Sequence, residues 1–139
     1  MKTFPLHIVS QEKVLITEDV VSVSVPTSEG EITVLAEHIP LFSQVKTGQL
    51  IYRTPDAEAS LVVSDGFVNV APSGEVTVMV DNGILDRDIS LEKAQDAVKA
   101  AKETMEKTQD QRELMMAEAS LRQAMMEVKV AQKTRKSKI

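Results

Sequence analysis

The sequence of 139 residues contains no cysteine and no tryptophan, one tyrosine and three phenylalanines. Without cysteine, disulfides, thiolate metal centres and cysteine nucleophiles are all excluded. With aromatics at 3%, a core has to be built from Val, Ile, Leu, Met and Ala. No apolar run approaches the roughly 20 residues needed to span a bilayer. The opening "MKTFPLHIVSQE" has neither the apolar centre of a signal peptide nor the arginines of a transit peptide. A soluble chain starting at its mature residue is therefore expected. Histidine is scarce as well: His7 and His38 are the only two. A zinc site needs about three or four ligands, so no metal centre is expected. No G-x-S-x-G, Walker-type or H-E-x-x-H pattern occurs. His7 stands between Leu6 and Ile8 and reads as a surface strand residue. The inventory predicts a protein that is not an enzyme.

Glycine and proline are absent from residue 84 onward, since all five of each lie in the first 83 residues. The hydrophobic period changes near the same place. Up to about residue 86 it is two: Phe4, Leu6 and Ile8 alternate with Pro5 and His7, and Val21, Val23 and Val25 alternate with serines. "FVNVAP" and "EVTVMV" repeat the habit between turn signals such as "PTSEGE", "SDG" and "PSGE". This pattern predicts an all-β antiparallel sandwich or flattened barrel over residues 1–86. From Ile89 the spacing becomes helical: Leu91, Ala94, Val98, Ala101 and Met105, with Ser90 as N-cap. After "KTQDQ" it resumes at Leu114, Ala117, Leu121, Ala124, Val128 and Ala131. Residues 87–139 are thus expected to form an antiparallel hairpin of two helices of similar length. Seam alanines let the axes approach but bury little area, so the hairpin is expected to be marginally stable and mobile. Met115–Met116 and Met125–Met126 should each turn one member towards the seam and leave the other either to cover the flank of the sandwich or to form an adaptable docking face.

Charge follows the same division. Residues 1–88 carry a net −8 and residues 89–139 a net +3, which together give the overall −5. The final "VKVAQKTRKSKI" has five basic residues and no acid. No aromatic lies nearby to stack a base, and the β half is acidic, so nucleic acid is not an expected partner. A cationic helix end suits the helix dipole by itself. A tail that docks on an acidic protein surface is the sharper alternative.

The stretch "SEGEITVLAEHIPLF", residues 28–42, surrounds His38 with Glu29, Glu31 and Glu37. A histidine among carboxylates could be a base or a ligand, but without further catalytic company a partner contact is the stronger expectation.

Four ordered stretches carry a resemblance to a known family: "LHIVSQEKV", "SEGEITVLAEHIPLF", "SDGFVNV" and "VTVMVDNGILDRDISLEKAQ". Over the whole chain the sequence resembles the ε subunit of bacterial F-type ATP synthase. The family's turn reads S/D-G-E-[LMI]-G-[IV], followed by x-x-H-x-P-L. Gly30, Glu31, His38, Pro40 and Leu41 keep that pattern, while Thr33 replaces the common glycine. The resemblance implies a rotor subunit of the central stalk that couples the stalk to the membrane ring. Glu29, Gly30 and Glu31 would face the ring of c subunits. His38, Ile39, Pro40 and Leu41 would pack on the γ subunit. The hairpin would extend to inhibit ATP hydrolysis, with Arg122, Lys129, Lys133 and Arg135 meeting acidic loops of the β subunits. Attachment to the membrane would be peripheral, through the complex, on the cytoplasmic face of the bacterial inner membrane.

Some family members bind ATP through [IL]-D-x-x-R-A near the start of the first helix. The corresponding stretch here is Ile89-Ser90-Leu91-Glu92-Lys93-Ala94. Ser90 and Lys93 replace the Asp and Arg, which loses bidentate phosphate recognition. Neither a cofactor nor regulatory ATP is expected. Two other classes fit the residues alone: an adaptor whose hairpin pairs with another coiled coil, and a phosphate or nucleotide sensor using the basic helix.

Overall fold

The computed structural model describes residues 2–137, with side chains described through Lys133. The chain divides into two compact units, Met1–Leu85 and Asp86–Ile139.

The first unit is built from ten strands: β1 (Phe4–Ser10), β2 (Val14–Val20), β3 (Ser22–Thr27), β4 (Gly30–Leu35), β5 (Leu41–Val45), β6 (Gly48–Arg53), β7 (Glu58–Val63), β8 (Gly66–Val70), β9 (Val76–Val80) and β10 (Gly83–Leu85). They form one sheet in the order β10-β7-β6-β3-β5-β8-β9-β1-β2, with β4 also paired to β3. Strict alternation turns Phe4, Leu6, Ile8, Val23, Val25, Val68, Val70, Val76 and Val78 inward, where all are buried in one core. Three strands are paired on one side only, β10, β2 and β4, and the first two meet where Leu15 of β2 lies against Gly83 of β10. The sheet is thereby wrapped into a nearly closed sandwich, which protects its edges.

Two details depart from the periodicity. The sheet is not purely antiparallel: β1 runs parallel to β9, with Leu6 opposite Val76 and Ser10 opposite Val80. Alternation reports which way a side chain points and carries no information on the direction of the neighbouring strand. Val21 is also not part of a strand. It occupies the bend between β2 and β3, where its N–H donates to the Arg53 carbonyl at 2.6 Å.

The second unit opens with a 3-10 turn, Asp86–Asp88, followed by α1 (Leu91–Lys107) and α2 (Gln111–Ser137). Ser90 is the N-cap of α1, its hydroxyl accepting the Lys93 N–H at 3.2 Å. The helices differ in length, 17 against 27 residues, which corrects the expectation of two similar ones. The polar break shrinks to Thr108–Asp110 because those residues cap both ends. The Thr108 N–H closes α1 on Thr104, and the Asp110 carboxylate accepts the Arg112 N–H at 3.0 Å. Asp110 is therefore the N-cap that starts α2 at Gln111. Ala94, Ala101, Ala117, Ala124 and Ala131 are buried. Small residues at such a seam allow close packing of the axes.

Candidate functional site

β3 and β4 form a hairpin whose tip carries Glu29, Gly30 and Glu31, all exposed. The tip is pinned from beneath by Thr27, a buried residue. Its hydroxyl donates to the Gly30 carbonyl at 2.5 Å and accepts the Glu29 N–H at 3.2 Å. Gly30 has φ of 109°, a conformation that a side chain would strain. Neither Glu29 nor Glu31 is ion-paired among the described residues. The local sequence thus makes a fixed turn that presents two unpaired carboxylates to solvent. Thr33 points outward and hydrogen-bonds Ser24 across the strands at 2.9 Å.

The other end of β4 leads into the loop containing His38. β4 has six residues, so at about 3.3 Å per residue the acidic tip and this loop stand about 20 Å apart. Glu37 takes the left-handed φ of 67°, and the His38 N–H donates back to the Leu35 carbonyl at 3.2 Å. The Glu37 carboxylate pairs with Lys2 at 2.5 Å. Their hydrogen bond, aided by charge attraction, holds Lys2 above and Glu37 below their usual ranges. His38 is half-buried, with Nδ1 at 2.7 Å from the Ile39 carbonyl, so Nδ1 carries the proton it donates. A carbonyl partner gives the ring no carboxylate to orient it as a base. His7 lies elsewhere on the sheet and pairs with Glu75 at 2.8 Å. Among the described residues no group of three His, Asp or Glu side chains could hold a metal ion. Ile39 and Pro40 are exposed and Leu41 is half-buried, so the loop offers apolar surface. An open groove beside it is lined by Lys2, Phe4, His38, Ile39, Pro72 and Gly74, among others.

Next to this loop is a feature absent from the sequence reading. Phe42, 63% exposed, stacks on Phe67, 45% exposed, with ring centroids 5.3 Å apart. Phe67 is in register with Met79, Met79 with Val9, and Val9 with Val14. All five sit on outward-facing strand positions, so an apolar row crosses β5, β8, β9, β1 and β2. Met79 is 42% and Val14 63% exposed. Contiguous apolar surface of this kind marks an interaction site. The signal in the sequence was the presence of Phe67, Met79 and Val9 at the solvent phase of their strands. Which of them would line up depended on pairing.

On α2, Arg122, Lys129 and Lys133 are exposed, whereas the Arg135 side chain lies outside the described residues. Met115 and Met116 are both exposed, which corrects the expectation that one would face the seam. Leu114 and Ala117 occupy the inward positions on either side of them, so the seam has no place for either. Met125 is exposed and Met126 half-buried. Glu127 is partly buried, and burial pushes its carboxyl up, partly offset by a hydrogen bond with Gln123. Ser90 spends its hydroxyl on the α1 cap, and Lys93 is exposed. No helix among the described residues is long and apolar enough to cross a membrane.

Comparison with known proteins accounts for both units. Residues 3–86 match the family described as ATP synthase, Delta/Epsilon chain, beta-sandwich domain. Residues 87–132 match ATP synthase, Delta/Epsilon chain, long alpha-helix domain. An ATP synthase epsilon chain from Dehalococcoides mccartyi is 37% identical over 137 residues, covering 98% of this chain and 97% of its own. A sodium-ion-specific ATP synthase epsilon chain from Propionigenium modestum is 27% identical, covering 95% and 96%. Among solved structures, a chain of the Euglena gracilis mitochondrial ATP synthase (OSCP/F1/c-ring) superposes with a TM-score of 0.75 at 25% identity, covering 89% of this chain and 78% of its own. A chain of the Tetrahymena thermophila mitochondrial enzyme, in its central stalk/c-ring assembly, shares the fold with a TM-score of 0.67 at 10% identity, covering 94% and 97%.

Proposed function

The chain belongs to the ATP synthase delta/epsilon chain family, and from that premise we propose how its two units serve the enzyme. It is a central-stalk subunit with no catalytic group of its own. The β-sandwich clamps the stalk to the membrane ring, so that ion-driven rotation reaches the catalytic head without slip. The observation that carries this reading is the placement of two different surfaces at opposite ends of β4, on one nearly closed sheet. The rigid acidic turn of Glu29, Gly30 and Glu31 suits polar loops of the c subunits. The loop of His38, Ile39, Pro40 and Leu41 suits the γ subunit, and the apolar row beginning at Phe42 extends that face. A closed β scaffold between the two contacts transmits torque with little deformation.

The α-helical hairpin serves as the regulator. Its seam is built on alanines and its outer face carries Arg122, Lys129 and Lys133, with Arg135 beyond the described side chains. In the extended state these cations meet acidic loops of the β subunits and restrain ATP hydrolysis. Ser90 and Lys93 receive no nucleotide in this reading, since the serine oxygen is committed to the helix cap. The complex holds the chain peripherally on the cytoplasmic face of the bacterial inner membrane, a placement supported by the bacterial origin of its relatives.

The absence of cysteine makes a direct test simple. Single cysteines replace Glu31 or Ile39, each carrying a photo-crosslinker, in membranes containing the assembled enzyme. The expected products are a small apolar ring subunit from position 31 and the larger stalk subunit from position 39. Products containing only soluble proteins or a second copy of this chain would overturn the clamp. For the regulatory part, deleting residues 89–139 should raise ATP hydrolysis by the assembled enzyme, and unchanged hydrolysis would refute it.

A further inference from the structure

The 3-10 turn at the entrance to the hairpin has two acids, Asp86 and Asp88, around Arg87. It packs against α2. Which part of α2 it meets follows from helix geometry. Ala101 and Ala117 lie equally far from the inter-helix turn, and so do Ala94 and Ala124. Two helices with the same rise per residue stay in that register. At the start of α1 it sets Leu91 opposite Glu127, and the extended Ser90 carries the chain further along, so the 3-10 turn meets the part of α2 that follows, which holds Val130 and Ala131. Both of those residues are buried. Lys129 and Lys133 flank them, within one helical turn. Asp86 is half-buried, and both Asp86 and Lys133 are engaged in polar or electrostatic contacts.

We propose that Asp86 and Asp88 form an acidic clasp that holds the basic end of α2 in the folded hairpin. The clasp occupies the same cations that the regulatory reading assigns to acidic loops of the head, and it rests on that reading only for this consequence. Release of α2 then requires exchange of one set of carboxylates for another. An exchange between similar partners nearly balances in free energy, so modest external charge or salt can shift it.

The test uses the full-length chain free in solution, with amide hydrogen exchange read over residues 124–133. Asp86→Asn with Asp88→Asn removes the charge and keeps the oxygen at position 86 that accepts the Arg87 N–H. Exchange over that stretch should quicken about fivefold at low salt, as expected for removing two partly exposed charges, with the difference shrinking as salt is added. Strands of the sandwich should be unaffected, and Glu106→Gln, an exposed acid near the inter-helix turn, should change nothing. Lys129→Glu with Lys133→Glu should quicken exchange likewise. Adding Asp86→Lys with Asp88→Lys to that variant should restore protection. Unchanged exchange in the Asn variant, or reversals that add instead of cancelling, would overturn the clasp. The assembled enzyme distinguishes the two ideas. With the Asn variant, hydrolysis should fall as the hairpin extends more often. Faster exchange together with unaltered hydrolysis would keep the clasp and refute the regulatory role.

Discussion

Replacing Phe42 by alanine separates docking from folding at the apolar row. Phe42 is 63% exposed in the free chain, so most of its hydrophobic gain is still available to a partner. Full burial of a Phe side chain is worth about 1.5–3 kcal/mol, and the unburied share corresponds to about 1–2 kcal/mol. Binding to ATP synthase particles depleted of this subunit should therefore weaken about 5- to 30-fold. The stack on Phe67 exists before and after docking, so its loss largely cancels from the affinity. It appears instead in stability, at about 0.5–1.5 kcal/mol. The assay is a titration of the variant onto depleted particles, with a thermal melt of the free chain alongside. An affinity within twofold of the parent and an unaltered melt would refute the assignment of the row as a docking surface. A severe loss of stability would refute it differently, by showing that Phe42 belongs to the core.

Four further substitutions probe separate parts of the structure. Glu127→Gln should stabilise the hairpin near neutral pH, because burial raises the carboxyl's pKa in the folded state. The folded chain then binds the proton more tightly, so stability falls as pH rises from the normal carboxylate range through the raised value. The Gln variant should flatten that slope, as followed by helical melts across pH. Ser90→Ala and Asp110→Ala each remove an N-cap and should each cost about 1 kcal/mol in the same melt. Gly66→Ala should destabilise the sandwich by about 3 kcal/mol in denaturant unfolding, since an added Cβ would stand 1.9 Å from the Met79 carbonyl oxygen.

Much of this architecture is written in local pattern. The alternation of Phe4, Leu6 and Ile8, of Val23 and Val25, and of Val76, Val78 and Val80 specifies which side of each strand is buried. The change to spacings of three and four after Ile89, and the confinement of glycine and proline to the first 83 residues, specify where helices replace strands. The hydroxyl of Ser90 likewise marks the start of α1 before any tertiary contact is known. These are one-residue or short-range properties, and a chain carries them without reference to its fold. The N-cap of α2, Asp110, is obscured in the sequence because "KTQDQ" offers several capping side chains, and only their hydrogen bonds decide between them.

What tertiary structure alone decided is adjacency. Nothing in the alternation of β1 requires it to lie parallel to β9, or to bring Val9 between Met79 and Val14. The apolar row, the approach of β2 to β10, and the packing of the 3-10 turn on α2 all depend on pairings between residues far apart in sequence. Periodicity sets the face on which a side chain emerges. Its neighbours on that face are set by strand register and chain crossing, which are properties of the whole assembled sheet.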